Sequence, residues 1–129
     1  MTQLSPICNV FGSLHSAVGL QPVAAALCSR LGLTPDQVWI KRCEFDGVET
    51  LLIQTETCSL ESQPTETPGT WLFNGAVDGT SEEIIDTLLP IVQILHWAGF
   101  PTEFEIYDSA FRLVGKCPGA VAVPSSRPT

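Results

Sequence analysis

Apolar residues recur along this chain with two different periods, and the switches between them divide it into elements. Ile7, Val10, Phe11, Leu14 and Val18 follow helical spacing behind Ser5-Pro6, a cap followed by a first-turn proline. This predicts a helix over residues 6–17, stopped by Gly19. Val23, Ala26, Leu27 and Leu31 repeat the spacing after Gln21-Pro22 and end at Gly32, a residue free to take the left-handed conformation of a C-cap. A second, short helix follows. Thr34-Pro35-Asp36 reads as a turn, and VWIKRCEF and VETLLIQTE then flank Asp46-Gly47, the strongest short hairpin signal present. A two-residue loop there pairs Phe45 with Val48, Cys43 with Thr50 and Ile40 with Ile53, leaving apolar groups on both faces of the ribbon.

Residues 59–69, SLESQPTETPG, are polar, proline-bearing and aperiodic, which predicts a long loop suited to act as a lid. TWLFNGAV then reads as a third strand, ended by the glycine and aspartate of GAVDGT. Thr80, with Glu83 three residues later, is a capping-box signature and opens a helix over residues 81–98. Its apolar positions leave a narrow polar line at Glu82, Asp86, Pro90, Gln93 and Trp97, and the proline is tolerable on that wet side. Gly99 ends the helix, with Phe100 placed to fold back on Leu95. Beyond Pro101 the period becomes two, so Phe104 and Ile106 point one way while Glu103, Glu105 and Tyr107 point the other. A turn at Asp108-Ser109 returns the chain along AFRLVGKC and pairs Phe104 with Leu113, Ile106 with Phe111 and Glu105 with Arg112.

The resulting expectation is an α+β domain over residues 1–117 in the order ααβββαββ: two N-terminal helices, a mainly antiparallel sheet, one long central helix and a C-terminal β-hairpin. The Ala-, Pro- and Ser-rich stretch 118–129 is read as a weakly ordered tail.

Composition narrows the function. Six Lys and Arg against fourteen Asp and Glu give a net charge of -8, which repels nucleic-acid phosphates and anionic lipid headgroups, so neither nucleic acid nor membrane is expected as a partner. MTQLSPICNV has neither a basic nor an apolar leader region, and no later segment is apolar for long enough to span a bilayer, which points to the cytoplasm. The five cysteines show no C-x-x-C pair and no zinc-ligand spacing, and are read as reduced, mostly buried thiols. No metal and no cofactor is expected.

Candidate chemistry is sparse. Glu103 and Glu105 lie two apart on a strand, a spacing compatible with acid and base work or metal bridging, but nothing convergent accompanies them and a solvated sheet face with Arg112 opposite explains them. His96 sits in the last turn of the main helix, where the dipole favours a cation, and His15 lies beside Leu14 without a placed partner. Cys43 or Cys117 as a nucleophile would need a positive setting that this acidic chain lacks. GTSEEI opens a helix, but Asp78, Glu82 and Glu83 would repel an anion there. Trp97, on the outward line of its helix and near Tyr107, suits an interaction hot spot rimmed by Glu103 and Glu105.

GTSEEIIDTL and AGFPTEFEIYDSAFRLV, within residues 70–117, resemble a small family of cyanobacterial proteins without an established activity. The resemblance implies a soluble cyanobacterial protein and carries over no site residue. The reading adopted is a non-catalytic protein-interaction or regulatory module, with a protein partner or a second copy bound through an apolar surface rimmed by acids. A small-molecule binder or enzyme, with a pocket between the sheet and the 59–69 loop, is the alternative.

Overall fold

A computed structural model describes residues 7–118; the Ser5-Pro6 cap and nearly all of the expected C-terminal tail lie outside them. The chain runs β1 (Ile7–His15), α1 (Gln21–Leu31), β2 (Val38–Arg42), β3 (Glu49–Gln54), β4 (Cys58–Pro64), β5 (Thr70–Asp78), α2 (Ser81–Trp97), β6 (Thr102–Tyr107) and β7 (Leu113–Cys117). All seven strands form one antiparallel sheet in the order β2-β3-β4-β5-β1-β6-β7. The expected order ααβββαββ is therefore wrong: two of its assignments fail, and the molecule is mostly β.

The first failure is the segment after Pro6. Spacings of three and four residues in Ile7, Val10, Phe11 and Leu14 fit a helix, but the same stretch also alternates, with Cys8, Val10 and Leu14 buried and Phe11 and His15 exposed. The strand wins because its backbone pairs on both sides, with β5 along its whole length and with β6. Tertiary pairing thus overrides the local pattern, and β1 becomes a central strand. The second failure is the expected lid. Residues 58–64 alternate as a strand, but two of their three inward side chains are Cys58 and Ser62, so hydropathy does not reveal the period. Ser62 is fully buried and is satisfied there, its Oγ accepting a 2.9 Å hydrogen bond from the Leu51 N–H.

Both hairpin registers also differ from expectation. In the β2–β3 ribbon, Ile40 pairs with Leu51 and Arg42 with Glu49, because the turn is wider: Cys43 N–H donates to the Val48 carbonyl and Gly47 N–H to the Cys43 carbonyl. The shift of two residues keeps every side chain on its expected face. In the last ribbon, Phe104 pairs with Cys117 and Glu105 with Lys116, with a bulge between Ile106 and Tyr107. Asp108 sets this turn. Its carboxylate accepts from the Ala110 and Arg112 N–H groups and from Arg112 Nε at 3.0 Å, so Arg112 is drawn to Asp108 and not to Glu105.

α2 carries its caps as local chemistry dictates. Thr80 Oγ1 accepts from the Glu83 N–H while the Glu83 carboxylate accepts from the Thr80 N–H. At the other end, Phe100 N–H donates to the Leu95 carbonyl and Gly99 N–H to that of His96, with Gly99 at φ 95°, a Schellman ending. Both helices lie on one side of the sheet. α2 packs on α1, β6 and β7, and α1 packs on β2. Ile84, Leu88, Val92 and Leu95 meet the inward residues Val10, Leu14, Phe73, Phe104 and Ile106 in one apolar core.

Candidate functional site

The far side of the sheet has no helix over it among the described residues. Alternation assigns its side chains, and the strand registers line them up in rows across the sheet. One row crosses all seven strands: Trp39, Leu52, Glu61, Asn74, Phe11, Glu105 and Lys116, each directly opposite the next. The row on one side of it holds Gln63, Leu72, Ser13 and Glu103, and the row on its other side Ser59, Ala76, Asn9 and Tyr107. Phe11 is 42% and Leu72 52% exposed, large fractions for apolar side chains next to a core.

This open face is dished. A depression of about 570 Å³ lies over β4, β5 and β1, with Phe11, Leu72, Asn74 and Gln63 in its lining. Smaller hollows continue it toward Glu103 and Glu105 on one side and Leu52 and Glu61 on the other. Two glycines lie in its lining, each where strand backbones run too close for a side chain. A Cβ on Gly75 would strike the Ser59 carbonyl of β4, and one on Gly12 would strike the Glu103 carbonyl and the Phe104 ring.

The polar side of the face is tied to its aromatic floor. Tyr107 Oη donates to Glu105 Oε1 at 3.0 Å, and the Phe11 and Tyr107 rings stand edge to face with centroids 5.6 Å apart. The hydrogen bond to Glu105 pushes the Tyr107 phenol above its usual pKa, with desolvation and the negative charge of Glu105 acting in the same direction. Glu61 and Glu103 are exposed, and Lys116 lies across from Glu105 without an ion pair.

The sequence candidates do not gather at one place. Glu103, Glu105 and Tyr107 are on the open face, whereas Trp97 is on α2, on the opposite side of the sheet, so the expected hot spot joining Trp97 to Tyr107 does not exist. Trp97 is 74% exposed, with the Arg30 guanidinium of α1 stacked 4.4 Å from its ring centre. It borders a hollow of about 550 Å³ with Leu89, Val92, Gln93, His96 and Pro118. His96 ties the end of α2 to the start of β6: its Nε2 lies 2.9 Å from the Thr102 carbonyl oxygen and 3.3 Å from the Thr102 nitrogen. His15 lies 3.4 Å from Thr70 Oγ1, and neither histidine has a carboxylate partner among the described residues. Among the described residues no three His, Cys, Asp or Glu side chains converge where a metal ion could sit, and no helix is long and apolar enough to cross a membrane.

Three of the five thiols are set against nucleophilic chemistry by burial, whereas Cys43 is exposed in the turn between β2 and β3 and Cys28 is half-buried on α1. Cys8, Cys58 and Cys117 are buried, and burial pushes Cys58 and Cys117 from 9.0 to about 11 and raises Cys8, where the nearby Asp108 charge adds to the effect. The folded protein therefore keeps these protons to higher pH than the unfolded chain. Stability is full below about pH 9 and is lost as pH rises toward 11, by about 2 kcal/mol for each of Cys58 and Cys117. Urea titrations between pH 8 and 11 check this: the fall should flatten in a Cys58→Ala/Cys117→Ala variant, whatever its stability at neutral pH.

Comparison with protein-family models, with curated proteins and with solved structures finds no match for this chain. Phe11, Leu72 and Glu61 are the site residues that sequence reasoning missed. The helical spacing groups Phe11 with Val10 and Leu14, and the signal that frees it is the alternation of Val10 and Leu14 against Phe11 once residues 7–15 are taken as a strand.

Proposed function

We propose that the protein is a non-catalytic interaction module that binds a protein partner through the open face of its sheet. One observation carries this reading: both helices cover the same face of a seven-stranded sheet, leaving Phe11 and Leu72 uncovered on the other, over a dished floor. An apolar centre with a polar and acidic surround is the anatomy of a protein-binding patch. The buried, high-pKa thiols and the histidines without carboxylate partners give no support to a nucleophile or a general base. The first reading is further favoured because residues 59–64 of the segment expected to act as a lid belong to strand β4 of the sheet. The cyanobacterial resemblance adds no residue role to this reading.

Site-specific photo-crosslinking tests it. Benzoylphenylalanine at position 11, in cells making the full chain, is expected to trap a discrete protein that mass spectrometry identifies, while the same group at position 45, in the loop before β3, traps none. A bare result at position 11, together with a stoichiometric small molecule retained in native mass spectrometry, would sink the proposal.

A further inference from the structure

Resting on that reading, we infer that the partner element is an amphipathic helix with an apolar stripe flanked on both sides by Lys or Arg, laid along the strands over β5 and β1. The arrangement of the acids carries this. Glu61 on β4 and Glu105 on β6 stand in one row with Asn74 and Phe11 between them, and Glu103 flanks Leu72 in the next. Three strand spacings separate β4 from β6, roughly 14 Å. An α-helix with its side chains is about 10–12 Å across, so one helix fits between Glu61 on one side and Glu103 and Glu105 on the other. Its apolar stripe would rest on Phe11, Leu72 and Ala76, and basic residues on its flanks would reach Glu61 on one side and Glu103 and Glu105 on the other.

Charge also argues against the competing occupant, a second copy of the chain. Two limiting stackings of two such faces about a two-fold axis centred on the depression show this. With the axis along the strands, Glu61 of each copy lies over Glu105 of the other; with the axis across them, β4 lies over β4 and β6 over β6. Both bring carboxylates against carboxylates, which is unfavourable at a closed interface. A basic helix removes that conflict, and the chain's net charge of -8 attracts it from a distance.

The test uses the full chain and a fluorescein-labelled, 18-residue Leu/Lys helical peptide with one leucine stripe, read by anisotropy at about 0.15 M salt. A Glu61→Lys/Glu103→Lys/Glu105→Lys variant is expected to weaken binding at least tenfold. An Asp36→Lys/Glu82→Lys/Asp86→Lys variant, with the same net charge but altered away from the open face, should stay within about twofold. A Leu72→Ser variant should weaken binding several-fold, and a Leu/Glu peptide should not bind. Equal loss in both triple variants means general attraction to an acidic chain and overturns the inference. So does a failure of the Leu/Lys peptide to bind. If position 11 nevertheless crosslinks to a second copy or to a non-helical partner, the interaction module stands and only the partner class falls; if that crosslink is also missing, both fall.

Discussion

Replacing Gly75 with alanine should lower the free energy of unfolding by about 3 kcal/mol or more, one of the largest effects available from a single methyl group in this molecule. Gly75 pairs with Leu60, and a Cβ at this position would run into the Ser59 carbonyl and the Leu60 Cα. These are backbone atoms within a paired ladder. No side chain can rotate away, so relief requires β4 and β5 to move apart and lengthen their hydrogen bonds. Urea denaturation followed by circular dichroism gives the magnitude. A Gly75→Ala protein that unfolds within about 1 kcal/mol of the parent would show that the strands separate freely, and the close approach under the depression would lose its meaning.

Phe104→Ala and Phe11→Ala should differ sharply, although the two side chains belong to neighbouring strands. Phe104 is 1% exposed and lies against Phe73 on the helix side, so its truncation leaves a cavity and costs about 3–5 kcal/mol. Phe11 points to the open face, where truncation removes the contact with Tyr107 and leaves the core intact, costing about 1 kcal/mol or less. Equal costs would mean that the open face is covered in the free protein. The pair of measurements therefore examines the uncovered sheet directly, without a partner in hand.

How much of this was legible in the sequence depended on the range of the interactions. α2 announced itself because Thr80, Glu83, Gly99 and Phe100 cap it with residues no more than five positions from their partners. The outward direction of Glu103, Glu105 and Tyr107 followed from a plain alternation with Phe104 and Ile106. Strand β4 was invisible because buried Ser62 looks polar until its hydrogen bond to Leu51 is known. Strand β1 is hidden because Ile7, Val10, Phe11 and Leu14 fit the helical period while Cys8, Val10 and Leu14 fit the alternating one, and only the distant pairing with β5 and β6 decides between them. The same distance hid the site. Glu61 faces Glu105 across the depression because β5 and β1 intervene, and no local pattern encodes the order β4-β5-β1-β6.

That strand order also sets the route by which the chain can assemble. β1 is made before its two neighbours, β5, which follows α1 and three further strands, and β6, which follows α2. Until both exist, the apolar side of β1 waits unpaired while β2 to β5 can already form a meander by short turns. Closure is then a late, long-range event in which one early segment joins two otherwise separate ribbons. A ribosome-bound fragment ending before residue 100 would present the β6-facing edge of that segment bare, an invitation to edge-to-edge association that the finished protein withdraws.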